Sequence, residues 1–143
     1  MTDAIDRFID SIEHASVPDS RAFTADATLD ATVPNWRYTV SGGTKVEAEL
    51  ARWFADPGRF EEFAVTPLED GALLQFVLTW EEDGEPHMCH QAHRLEVRDG
   101  LIAKDTAWCG GRWGAARQAE VAQAAAGGSA TCERSRTPSS SST

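Results

Sequence analysis

The chain has 143 residues, 41% of them hydrophobic, a net charge of −10 and three cysteines, enough for one domain with a real core. No stretch approaches the roughly 20 apolar residues of a membrane span, no basic cluster suits a phosphate backbone, and Cys89, Cys109 and Cys132 show neither framework nor zinc-knuckle spacing. The acidity is confined to residues 1–114, which carry −11, whereas the last 29 residues carry +1.

The opening segment places Ile5, Phe8, Ile9 and Ile12 at i, i+3, i+4 and i+7, one apolar stripe of a helix that Thr2 or Asp3 can cap. Its start, acidic from the third residue, lacks the basic and apolar regions of a signal peptide, which predicts a cytoplasmic protein with free thiols. Ser16-Val17-Pro18-Asp19 breaks the helix, and a short second helix is expected at Arg21–Phe23. Ala27–Val33 and Asn35–Val40 read as extended, separated by Pro34 and ended by Ser41-Gly42-Gly43. Thr44 with Glu47 has capping-box spacing, ahead of a helical stripe of Val46, Leu50, Trp53 and Phe54 that stops at Asp56-Pro57-Gly58.

Three Asp-Gly dipeptides, at 70–71, 83–84 and 99–100, then alternate with runs rich in β-formers. Gly supplies the positive φ of a tight hairpin, so the dipeptides predict a meander of four strands: Phe60–Leu68, Ala72–Glu82, Pro86–Arg98 and Leu101–Cys109. Helices followed by an antiparallel sheet make an α+β pattern. Beyond Trp113 the composition changes. Residues 114–143 comprise an Ala-rich segment with an almost all-Ala apolar face and a Ser/Thr/Pro-rich tail that reads as disordered. The candidate domain is therefore residues 1–113.

This order of elements resembles the nuclear transport factor 2-like superfamily, which includes ketosteroid isomerases and SnoaL-type polyketide cyclases. Two stretches carry the likeness: FTADATLDATVP (Phe23–Pro34) between helix and first strand, and RLEVRDGLIAKDTAW (Arg94–Trp108) as the last hairpin. It spans about residues 3–110. It implies a cone, with a curved antiparallel sheet wrapped over helices, a pocket at the open end, and homodimerisation through the sheet. The ketosteroid isomerase pattern itself fits poorly. Ala31 stands at the position of its general-base Asp, the single tyrosine is Tyr38 rather than one in the first helix, and His93 takes the place of its second oxyanion donor.

The remaining chemistry concentrates on the third meander strand. His87, His90 and His93 are spaced by three, so alternation sends His90 to the opposite face and the trio does not converge on a metal. Cys89, Gln91, His93, Leu95 and Val97 form the more apolar face, expected inside. Two registers are open for the last hairpin. A two-residue loop at Asp99-Gly100 pairs Arg94 with Asp105 as a surface ion pair. A three-residue loop with a bulge at Gly100 pairs Val97 with Leu101 and His93 with Asp105. The bulge is preferred because it places Leu101, Ala103 and Ala107 inside, at the cost of sending Ile102 and Trp108 outside, where a dimer interface would suit them.

In that register His93 and Asp105 form a pair suited to general acid/base work, His93 as base and Asp105 as its orienting acid or the acid itself; without a cavity the same pair is structural. Asp30 near Trp36 and Tyr38 is a second acid at the pocket mouth, and Cys89 and Gln91 are candidate ligand contacts. No feature predicts a reactive Cys89 thiol. The resemblance implies cofactor-free isomerisation, cyclisation or dehydration of a hydrophobic small molecule. A binding or dimerisation module without chemistry, or an accessory subunit that completes a partner, are the alternatives.

Overall fold

The structure, a computed structural model, describes residues 3–127. The described residues divide into two units, one ending at Arg112 and the other beginning at Trp113. In the first, α1 (Asp3–Glu13) buries Ala4, Ile5, Phe8 and Ile12, while Ile9 is only partly covered. Buried Ser11 is satisfied within the helix, its hydroxyl donating to Phe8 O at 2.7 Å. Arg7 ties α1 to the turn C-terminal to it, donating to the carbonyls of Ser20 (2.7 Å) and Arg21 (2.9 Å). The expected helix at Arg21–Phe23 does not form. A 3-10 turn lies earlier, at Val17–Ser20, where Pro18 suits a first helical turn and Ser20 Oγ closes onto Val17 O. Arg21 is left-handed, and Phe23 already begins β1.

β1 (Phe23–Val33) and β2 (Trp36–Ser41) form a hairpin across Pro34-Asn35, with Asn35 left-handed at φ 64°. The next helix, α2 (Gly43–Trp53), starts without the expected capping box. Gly42 occupies the N-cap at φ 105° and Thr44 is already helical. Gly43 lets the helix approach β1, since a Cβ there would lie 2.3 Å from Thr24 O. α2 buries Val46 and Leu50, and Phe54 joins them in the core.

The meander forms as β3 (Gly58–Leu68), β4 (Gly71–Glu82), β5 (Glu85–Arg98) and β6 (Leu101–Cys109). The six strands make one sheet in the order β2-β1-β6-β5-β4-β3. It is mixed rather than wholly antiparallel, because β1 and β6 run parallel. The three Asp-Gly pairs are not equivalent. Asp83-Gly84 and Asp99-Gly100 are two-residue turns with both residues at positive φ, as a type I′ hairpin requires. Gly71 instead begins a strand, pairing with Leu68. It is required by backbone proximity, since a Cβ would lie 1.8 Å from Leu95 O.

The last hairpin adopts neither expected register intact. Arg98 pairs with Leu101 across a two-residue turn, so the bulge at Gly100 does not form. The irregularity comes later: Val97 pairs with Ile102 and Glu96 with Lys104, leaving Ala103 as the extra residue. Ile102 therefore faces the core, fully buried, and not the outer face as expected. Without the bulge, strict alternation would put Ile102 and Asp105 on opposite faces; with it, both point inward. Trp108 does lie outward, 45% exposed.

In the second unit, α3 (Ala115–Ala126) buries no residue, as an almost all-Ala face predicts. The Ser/Thr/Pro-rich tail and Cys132 lie outside the described residues. Among those described, no helix is long and apolar enough to cross a membrane.

Candidate functional site

Alternation along β5 buries Cys89, Gln91, His93 and Leu95 on one face, and the Ala103 bulge brings Asp105 in beside them. His93 and Asp105 meet on the diagonal, since Leu95 is the direct partner of Asp105. The His93 Nδ1 lies 2.8 and 3.0 Å from the two Asp105 carboxylate oxygens, and both residues are fully buried. Phe76 stacks on the imidazole at 5.6 Å, and Phe8, Trp53 and Phe54 surround it at 6.0–6.2 Å. The other ring nitrogen, Nε2, lies 2.7 Å from Gln91 Oε1. The imidazole thus bridges the Asp105 carboxylate and the Gln91 side-chain amide.

Gln91 continues this donor chain. With its Oε1 held by His93, its amide NH2 points at two sulfurs, Cys89 Sγ at 3.4 Å and Cys109 Sγ at 3.5 Å. Cys109 also accepts from the Gly111 backbone N–H at 3.4 Å, in a turn where Gly111 has φ 108°. The neighbouring Cys89 thiol, helped by the Gly111 N–H, the Gln91 amide and His93, holds the Cys109 thiol below the ordinary thiol range despite partial burial. Cys89 moves the opposite way, pushed up by its bond to Cys109, by burial and by the charge on Cys109.

Gln91, Cys89 and Cys109 line a cavity of about 610 Å³ whose walls include Trp53, Trp80, Val33, Pro34 and Arg112. Its two indoles are both anchored. Trp53 Nε1 donates to Tyr38 Oη (3.1 Å) and to Glu49 Oε2 (3.3 Å), and Arg52 braces Glu49 at 3.0 Å. Trp80 Nε1 donates to Glu82 Oε2 at 2.7 Å. Trp80 is stacked with His87 at 5.8 Å, and the Arg112 guanidinium lies 5.7 Å from its ring while pairing with Glu82. Such anchoring restricts side-chain freedom before any ligand arrives.

The residues expected to make the site are thus divided. Gln91 and Cys89 line the cavity. His93 and Asp105 stand one layer behind it, reaching it only through Gln91. Tyr38 is a brace for Trp53 rather than part of the lining; burial and its bond to Glu49 push its hydroxyl up to about 12. Asp30 does not line the cavity. It pairs with Arg37 at 2.7 and 3.0 Å, and that hydrogen-bonded cation holds its carboxyl below the usual range. Trp36 is 68% exposed on β2 and also stands outside it. Trp53 and Trp80 have the spacing of core residues, and nothing in their order signals a cavity. Cys109 is found only through its pairing with Gln91.

A second, more open depression of about 840 Å³ is lined by outer-face residues such as Phe63, Val77, His90 and Trp108. His90 is thereby separated from His93.

No protein-family model and no curated protein matches the chain. Solved structures do. An NTF2-like protein from Anabaena variabilis superposes with a TM-score of 0.64 at 14% identity, covering 76% of this chain and 84% of that one. A provisionally named isomerase from Bacillus subtilis gives 0.60 at 13% identity, covering 89% and 91%. A provisionally named polyketide cyclase from Xanthomonas campestris gives 0.57 at 15%, covering 73% and 86%. The chain has the nuclear transport factor 2-like fold. At such identities the likeness is one of fold, and chemistry must be argued from the site.

Proposed function

We propose that the protein binds a small, flat, largely apolar molecule between Trp53 and Trp80, with Gln91 as its buried polar contact. The observation that carries this reading is that both indole walls are fixed in advance, each by a glutamate, around a cavity of ligand size. A thermal-shift screen of small aromatic and fused-ring compounds tests it. A compound present at about 100 times its Kd stabilises the native state by roughly 2.7 kcal/mol, a shift of several degrees. Hits should be lost in Trp80→Ala. A library without hits, or hits kept undiminished by Trp80→Ala, would sink the reading.

Acid/base catalysis of the isomerase, cyclase or dehydratase type is the second reading, favoured by the buried His93–Asp105 pair joined to the cavity through Gln91. It requires Gln91 to swing aside so that His93 Nε2 meets the ligand. If so, His93→Gln should abolish turnover of a bound compound and leave its binding intact. Homodimerisation through the sheet is also proposed, on the outward, exposed Trp108 and Phe63. Sedimentation equilibrium at micromolar concentration reads it, and a monomer counts against it.

A further inference from the structure

Neither reading uses the two thiols. The Cys109 sulfur sits in the cavity wall and collects two N–H donors, the Gln91 amide at 3.5 Å and the Gly111 backbone at 3.4 Å. The first of these is held in place by His93, itself hydrogen-bonded to Asp105. Two fixed donors on one half-buried sulfur form a cradle for a thiolate, as oxyanion donors do for an alkoxide. The other charged groups along the cavity are Arg52, Asp56 and the Glu82–Arg112 pair. Arg52 and Arg112 are each matched by a carboxylate, so the local donors set the charge on the sulfur.

We propose that Cys109 is a nucleophilic thiol site that adds to soft carbon electrophiles entering the cavity, such as α,β-unsaturated carbonyl compounds. The thiolate sulfur forms a C–S bond to the β-carbon. The π pair of the C=C bond moves onto the carbonyl as an enolate, which takes one proton from water at the α-carbon. Nothing leaves, and the product is the sum of thiol and ligand. Cys89, whose thiol is pushed up, stays protonated. The inference shares the cavity with the binding proposal but rests on the sulfur's own donors.

Alkylation of the full chain by N-ethylmaleimide, followed by peptide mapping, tests it, because each of the three cysteines is read separately. The Cys109 rate should be nearly flat between about pH 7.5 and 9, where an ordinary thiol of pKa about 8.5 gains roughly eightfold. Gln91→Leu, which removes the side-chain donor, should restore a steep rise, while Cys89→Ala, which leaves both N–H donors in place, should hold the flat profile. Absence of a Cys109 adduct at pH 8.5, a wild-type rate that climbs with pH like an ordinary thiol, or identical profiles in Gln91→Leu and Cys89→Ala would overturn the proposal. These outcomes leave the thermal-shift test of the binding reading untouched, and a screen without hits leaves the alkylation profile equally readable.

Discussion

His93 and Gln91 lie two residues apart on the same face of β5, in one chain of hydrogen bonds, yet their surroundings differ completely. Around His93 pack the aromatic rings of Phe8, Phe54 and Phe76, so the ring is sealed and its Nδ1 is held by Asp105. At Gln91 the packing opens into the cavity, and the polarity handed on from His93 ends on sulfur. A buried ion pair taken alone is weak evidence for stability and weaker evidence for function. What gives this one a use is its neighbour. It holds a side-chain amide in one orientation at the wall of a cavity.

The contrast can be broken from its buried end with the greatest effect. Asp105→Ala leaves the fully buried His93 Nδ1 without its carboxylate partner and should cost about 3–5 kcal/mol in urea denaturation. An unchanged midpoint would mean that the pair is not sealed. Gln91→Leu, at the open end, should cost less, about 1–3 kcal/mol, since it removes the neutral side-chain partner of His93 Nε2 and of the two sulfurs. If it proves as damaging as Asp105→Ala, the two ends are one structural unit. Replacing His93 and Asp105 together by leucine should recover most of the single-variant loss, ending within about 1–2 kcal/mol of wild type. A double variant as unstable as Asp105→Ala would show that the pair does more than neutralise itself.

The smallest effect is a pH dependence. Folding depresses the Cys109 thiol, so its stabilisation is complete above the unfolded thiol value, about 8.5, and fades as pH falls toward the folded value. Wild type should therefore gain stability over Cys109→Ser as pH rises from about 6.5 to 8. Cys89 acts in the opposite sense. Its folded value is raised, so the unfolded chain ionises first and stability falls once pH passes about 8.5. A difference between wild type and Cys109→Ser that stays level from pH 6.5 to 8 would contradict the thiolate cradle.

Local pattern was enough to place most elements. Period-two alternation assigned the inner face of β5, the helical stripes located α1 and α2, and the Asp-Gly pairs counted the meander strands. These signals are legible because each depends on residues within one or two turns of chain. Close approach between distant segments is not legible in this way. Gly43 and Gly71 read as strand-ending and turn residues, whereas what they supply is room for Thr24 O and Leu95 O.

The site divides along the same line. That His93 and Asp105 share a face is a consequence of alternation plus one extra residue somewhere in the last hairpin. Where that residue falls was decided by packing. Ile102 is too apolar to leave outside and its N–H bonds Ala22 O, so the turn stays tight and Ala103 takes up the slack. The cavity itself is a property of the tertiary structure alone. Trp53 belongs to a helix and Trp80 to a strand, and their indoles come to line one cavity, held there by Tyr38, Glu49 and Glu82. Sequence determines which side chains face inward, because that is set by local period. Which inward side chains meet, and where they leave space, depends on contacts between residues far apart in the chain, and only the folded molecule decides it.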